Sequence, residues 1–180
     1  MWRSPVLVTP PADEPVTLEQ AKQFLRVDEA DTDFDVEISM QVAGARGHVE
    51  GVTSTRLIAQ VVELRADGFD DLALFKVGPI ISVDEVSYLD REGIVQTVPA
   101  ESYELVGAEL EWGLRPASGF SWPRSASAGT VTVRATVGYG DDGDDIPPAV
   151  RLAILLKLRA LFEDGSADID HLLVNDRIWL

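Results

Sequence analysis

The run Asp33-Phe-Asp-Val-Glu-Ile-Ser-Met-Gln-Val-Ala-Gly-Ala-Arg-Gly-His-Val-Glu-Gly-Val52 decides how the rest of the chain is read. Phe34, Ile38, Val42, Ala45, Val49 and Val52 recur at steps of three and four, which puts them on one stripe of an α-helix. The spacing predicts a helix over residues 33–52 with that stripe buried. Gly44, Gly47 and Gly51 lie inside it, each weakening a helix by about 1 kcal/mol relative to alanine, and read as places for close packing. Upstream, Thr17-Leu-Glu-Gln20 fits a capping box, in which the threonine hydroxyl and glutamine amide satisfy free N–H groups at a helix start; a short helix follows to about residue 25. Asp28, Asp31, Asp33 and Asp35 load acid onto the start of the longer helix, where its dipole favours negative charge. Residues 1–16, broken by Pro5, Pro10 and Pro11, read as an extended arm.

Downstream the period changes. From residue 57 to 140 short apolar and β-branched runs alternate with turn residues, the signal of strands. Strands are expected at residues 57–63, 72–75, 80–89, 95–98, 103–106, 109–112 and 130–138. Asp90-Arg-Glu-Gly93 is the clearest hairpin turn. Good alternation in residues 82–88 and 130–137 predicts one wet and one buried face, so the sheet should be mostly antiparallel. Acids at 141–145 and the pair Pro147-Pro148 then launch a third helix over residues 147–164. Arg151, Lys157 and Arg159 point in three separate directions around it, leaving no continuous polar face. Such a helix is either a central core or is finished by a neighbouring subunit. Residues 165–180 form a tail closing on Ile178-Trp179-Leu180, which either folds back on its own domain or anchors in a partner.

The fold class expected is therefore α+β: a small bundle of three helices plus a short C-terminal segment, with an inserted, mostly antiparallel β region, all in one domain over residues 1–180. Within it residues 17–53 are helical.

Composition narrows the function. The 180 residues carry 31 acidic and 15 basic side chains, a formal charge of −16, with 46% apolar residues and no cysteine. A chain so acidic is unsuited to gripping nucleic acid through its phosphates. Disulfides, thiolate metal sites and a cysteine nucleophile are excluded. No apolar stretch approaches the roughly 20 residues of a bilayer span, and the N-terminal apolar stretch is too short for a secretory signal, so no membrane partner is expected.

Motifs for chemistry fail on inspection. Gly138-Tyr-Gly-Asp-Asp-Gly143 matches G-x-G-x-x-G, but two aspartates sit where a pyrophosphate needs bare N–H groups and no βαβ unit surrounds it. Asp31, Asp33 and Asp35 alternate like calcium-loop ligands, but Val36 and Val42 occupy the positions that need glycine and glutamate. Asp141–Asp145 is too short to complete a cation's oxygen shell and reads as a solvated acidic loop. His48 and His171 have no partner at metal spacing. Gly119-Phe-Ser-Trp-Pro123 departs from a nucleophile elbow at its last position. No catalytic, cofactor or metal residue is assigned, and the chain is not expected to be an enzyme.

The order of segments resembles one family. Pro15-Val-Thr-Leu-Glu-Gln-Ala-Lys-Gln-Phe-Leu-Arg-Val-Asp28, an acidic patch, a helix ending Val49-Glu50, then Pro79-Ile-Ile-Ser-Val-Asp-Glu-Val-Ser-Tyr-Leu-Asp-Arg-Glu-Gly93, Trp122-Pro123, Val137-Gly-Tyr-Gly140, Ile146-Pro-Pro-Ala-Val-Arg151 and Leu172-Leu-Val-Asn-Asp-Arg-Ile-Trp179 are similar to the head-tail connector (adaptor) proteins of long-tailed bacteriophages and related gene-transfer particles. The sequence departs from that pattern in the glycines of the second helix and at Phe75-Lys-Val-Gly78. The resemblance implies a structural ring of about twelve copies in the virion neck, assembled in the bacterial host cytoplasm. The ring would dock beneath a portal protein, carry a stopper or tail-completion protein, and let DNA pass without gripping it. It implies portal contacts from Leu172, Leu173, Arg177, Ile178, Trp179 and Leu180, and makes Leu152, Leu155, Leu156 and Phe162 the candidates for contact with neighbouring copies. The competing readings are another neck or tail ring protein (a stopper or tube terminator), which should be richer in strand, and a metal-dependent module built on Asp141–Asp145.

Overall fold

The computed structural model describes residues 1–125 and 131–179. The first residue of the strand expected at 130–138, and Leu180 of the tail, lie outside the described residues. The fold is α+β as expected: helices α1 (Leu18–Leu25), α2 (Asp35–Thr53) and α3 (Pro148–Phe162), with strands β1 (Val6–Thr9), β2 (Gln60–Ala66), β3 (Ile80–Leu89), β4 (Val95–Thr97), β5 (Tyr103–Ala108), β6 (Glu111–Pro116) and β7 (Val131–Val137). Five strands form an antiparallel sheet in the order β1-β2-β7-β3-β4, and β5 and β6 form a separate hairpin.

Local chemistry sets the helix ends. The Thr17 hydroxyl accepts the Gln20 N–H at 3.2 Å and the Gln20 amide oxygen accepts the Thr17 N–H at 3.0 Å, completing the capping box of α1. At α2 the acids do more than meet a dipole. Lys22 is buried; its ammonium donates to the carbonyls of Glu29 (3.1 Å) and Asp31 (2.7 Å) and pairs with Asp35. The loop between α1 and α2 thus wraps a tethered cation, which satisfies a charge that burial would otherwise penalise by several kcal/mol.

Two apolar cores result. In the helical one, Ile38, Val42, Ala45 and Val49 of α2 pack against Val150, Ala153, Ile154 and Leu158 of α3, with Ala21 of α1. Of the stripe read from sequence, Phe34 is exposed and Val52 half-buried, so the buried run is shorter at both ends. In the sheet core, Val62, Leu64 and Ala66 register with Ala135, Val133 and Val131, and Phe69, Leu72, Phe75 and Leu114 cover them. Trp122 stacks on Phe69 with ring centroids 5.0 Å apart, so Gly119–Pro123 is a packing turn.

Several expectations shift. The arm is part of the sheet, since Val6–Thr9 pairs with β2 as an edge strand. Residues 72–75 are no strand: Phe69–Ala73 is a 3-10 helix, because Phe69 and Leu72 fall three apart on one face and are buried together. The strand expected at 57–63 begins at Gln60; Leu57 and Ile58 are buried in the helical core instead. The strand expected at 109–112 begins at Glu111 because Glu109, at φ 54°, makes the hairpin turn. The glycines of the G-x-G-x-x-G string are explained by crowding: a side chain on Gly138 would overlap the backbone of Ile58 and Ala59, and one on Gly143 the backbone of Pro15.

Candidate assembly surfaces

The tail folds back on its own chain. Leu173 and Ile178 are buried, Leu172 is half-buried, and the Ile178 N–H donates to the Thr53 carbonyl at 2.8 Å. Of the six tail residues named from sequence, Leu173 and Ile178 therefore serve the monomer. Arg177 and Trp179 remain outside: Trp179 is 67% exposed, its carbonyl accepts from the Lys76 ammonium at 3.4 Å, and the Arg177 guanidinium lies 4.7 Å over its ring. Burial holds the Asp176 carboxyl above its usual range, and burial, with the Asp176 charge adding, pushes the Tyr139 hydroxyl up strongly. The strap thus carries a carboxylate that its own docked position disfavours as an anion.

On α3 the inward face is Val150, Ala153, Ile154, Leu158 and Ala160. The four interface candidates lie on its other sides: Leu152 is 42% exposed, and Leu155, Leu156 and Phe162 are half-buried. Phe162 meets Phe34 edge-on at 5.9 Å, and Leu155 lines a cleft of about 420 Å³ with Phe24 and Arg151. Pro148 in the first turn starts this helix without a side-chain cap. At 100° per residue the four fall within one arc of about 120° on α3, and Leu155, Leu156 and Phe162 also pack partly against the helical core.

Sequence reasoning missed a third surface. Val36 is 75% and Met40 72% exposed, on the side of α2 opposite Ile38, Val42, Ala45 and Val49. Gly47 and Gly51 continue that outward stripe, and a side chain on either would meet no atom within 4 Å. The signal was available in the apolar residues at 36 and 40, which lie off the buried stripe.

The acidic loop at Asp141–Asp145 is a capping turn. The Asp142 carboxylate accepts the Asp144 N–H at 2.7 Å, and Asp144 pairs with Arg151 at 2.7 Å. Among the described residues no three His, Asp or Glu side chains gather as a metal ion would need, and His48 and His171 are both exposed. No helix among them is long and apolar enough to cross a membrane.

Comparison with known proteins gives a fold. No protein-family model matches the chain and no curated protein matches it. Solved structures do. The chain is similar to one in the neck of an empty GTA particle computed with C6 symmetry, with a TM-score of 0.81 and 19% identity over 99% of this chain and 97% of the other. A chain of the virion of a native gene transfer agent (GTA) particle matches at TM-score 0.81 and 20% identity, again over 99% and 97%. A chain in the neck of the native GTA particle computed with C12 symmetry matches at TM-score 0.70 and 19% identity over 97% of each. At these identities the likeness establishes a shared fold.

Proposed function

We propose that this chain is a structural ring subunit in the neck of a phage-like particle, the adaptor that joins a capsid's portal to its tail. The observation that carries the reading is the end-to-end match, TM-score 0.81 over 99% of the chain, to a chain in a particle neck. The ordered motifs from Pro15 to Trp179 support the adaptor role within that neck. In this reading the whole chain is one folded unit and about twelve copies close a ring by head-to-tail contacts. Leu152, Leu155, Leu156 and Phe162 contribute to the contact with neighbours. Arg177 and Trp179 meet the portal, and a stopper or tail-completion protein binds the other side. DNA passes through the bore.

The charge fits such a conduit. Twelve copies at −16 each sum to about 190 negative charges, screened over about 10 Å at moderate salt, and a carboxylate-rich bore repels phosphate so that DNA slides without sticking.

Particle imaging tests the reading: the subunit should lie in a ring between portal and tail, and a position in the tail tube or at its far end would sink the adaptor role. The portal contact has its own test. Because Ile178 belongs to the monomer core, deletion of the tail would confuse folding with docking, so Trp179→Ala is the cleaner variant. It should leave the melting temperature unchanged and abolish attachment to portal-bearing capsids. Attachment at normal occupancy would place the anchor elsewhere.

A further inference from the structure

The outward stripe of α2 differs between its two ends. At the N-terminal end Val36, Glu37 and Met40 are exposed, as is Asp33 in the turn just ahead of the helix, and neither Asp33 nor Glu37 pairs with a cation among the described residues. At the C-terminal end the stripe is bare backbone, at Gly47 and Gly51. Gly51 opens onto a groove of about 550 Å³ between α2, the N-terminal arm and the loop ahead of β3, lined by Trp2, Arg3, Arg56, Lys76 and Val77. A second hollow of about 350 Å³ lies beside it, flanked by Gly47 and Leu7.

The groove is a cationic place in a chain of charge −16. Its two acids are already engaged: Asp71 pairs with the N-terminal ammonium, and Glu50 pairs with Arg46. Arg3, Arg56 and Lys76 meet no carboxylate among the described residues; Arg56 donates to the Thr55 carbonyl and Lys76 to that of Trp179. Three cations thus stand beside apolar Trp2 and Val77 and beside glycines that leave room for an incoming side chain. What would fill this site is an exposed element that offers carboxylates and apolar side chains on one face. The other end of α2 is such an element. The two ends of this 19-residue helix stand about 28 Å apart, too far to meet within one copy.

We propose that the N-terminal end of α2 in one copy seats in the groove at the C-terminal end of α2 in the next. Asp33 and Glu37 face Arg3, Arg56 and Lys76, and Val36 and Met40 lie over Gly47 and Gly51 towards Trp2. Each copy carries one of each surface, so the contact is heterologous and propagates head to tail until it closes. This inference rests on the ring reading and supplies the contact that builds the ring.

A chain without cysteine allows a direct test. Full-length chains bearing Val36→Cys and Gly51→Cys together should, on oxidation, give a ladder of covalent oligomers. Mixed single variants should give the heterodimer in clear excess over either homodimer. Adding Arg56→Glu and Lys76→Glu should cut the ladder about tenfold, and Asp33→Lys with Glu37→Lys in that background should restore it. Equal homodimer and heterodimer yields, an unchanged ladder after charge reversal, or no ladder at all would overturn the contact. A benzophenone on the Gly51→Cys thiol in assembled particles identifies the occupant: a crosslinked peptide around residues 33–40 supports the proposal, whereas a peptide from another neck protein overturns it. The two failures are separable. A ring seen in particles without these crosslinks leaves the ring and removes this contact, while particles without a ring of this chain remove both.

Discussion

The central strands and the long helices treat their outer faces differently. In β2 and β7 the inward residues are apolar apart from Gln60 and the outward ones polar apart from Val61, with Glu63 opposite Arg134 and Arg134 opposite Glu85 in a charge-alternating row across three strands. In α2 and α3 the outward positions include Val36, Met40 and Leu152. The middle of the sheet is therefore finished by its own chain, whereas the helical layer keeps apolar surface that only another molecule can cover. Residues of the same type then have two different jobs, and substitutions should separate them.

The largest separation is within α3. Leu158 is fully buried, so Leu158→Ala should lose about 2–5 kcal/mol of stability, lowering the melting temperature by roughly 2–4 °C per kcal/mol in a chain of this size. Leu152→Ala, at a position 42% exposed, should change stability by less than about 0.5 kcal/mol while reducing incorporation into particles. Chemical unfolding of both variants with a particle-incorporation assay checks this. Equal destabilisation would mean that the outer face of α3 is part of the monomer's core, and the contrast between sheet and helices would collapse.

Glycine gives a smaller effect of opposite sign. Gly47→Ala and Gly51→Ala place a methyl group in open space on a helix, so each should stabilise the isolated chain by roughly 0.5–1 kcal/mol. Both should weaken assembly, because the methyl occupies the room a neighbour's side chain would use. Gly138→Ala should do the reverse to the monomer: at φ +140° with the backbone of Ile58 and Ala59 in the way, it should unfold more readily. Stabilised Gly47 and Gly51 variants that still assemble normally would show that the bare stripe has no partner.

What the sequence discloses follows how local the deciding chemistry is. The capping box at Thr17 and Gln20, the strand Ile80–Leu89 and the turn at Asp90 are settled by neighbours within a few residues, and each is found where it was expected. The edge strand Val6–Thr9 was not legible because its pairing partner, around Val62, lies far along the chain and the prolines around it favour an arm. Leu72 read as strand because an apolar pair three apart mimics a short run when its partner Phe69 is not counted. The missing polar face of α3 pointed to a neighbour, yet burial of Leu173 and Ile178 could not be told from docking on a portal, since both call for the same apolar side chains. Arg3, Arg56 and Lys76 converge only through the fold.

The finest test concerns the strap that lies across the helical core. Asp176 is held above the ordinary carboxylate value of 3.8 by burial, so the folded strap binds its proton more tightly than the open one does. Stability then falls as pH rises from that value through the raised one, and docking is tightest in acid. Hydrogen exchange at the Ile178 amide, which donates to the Thr53 carbonyl, should, after correction for the intrinsic pH dependence of exchange, show less protection at neutral pH than at a pH just below 3.8. Asp176→Asn should remove that slope and keep the amide protected throughout. A strap whose protection rises with pH, or one indifferent to Asp176→Asn, would make it as fixed as the central sheet, and the exposed pair Arg177 and Trp179 would then have to meet a partner without any loosening of the segment that carries them.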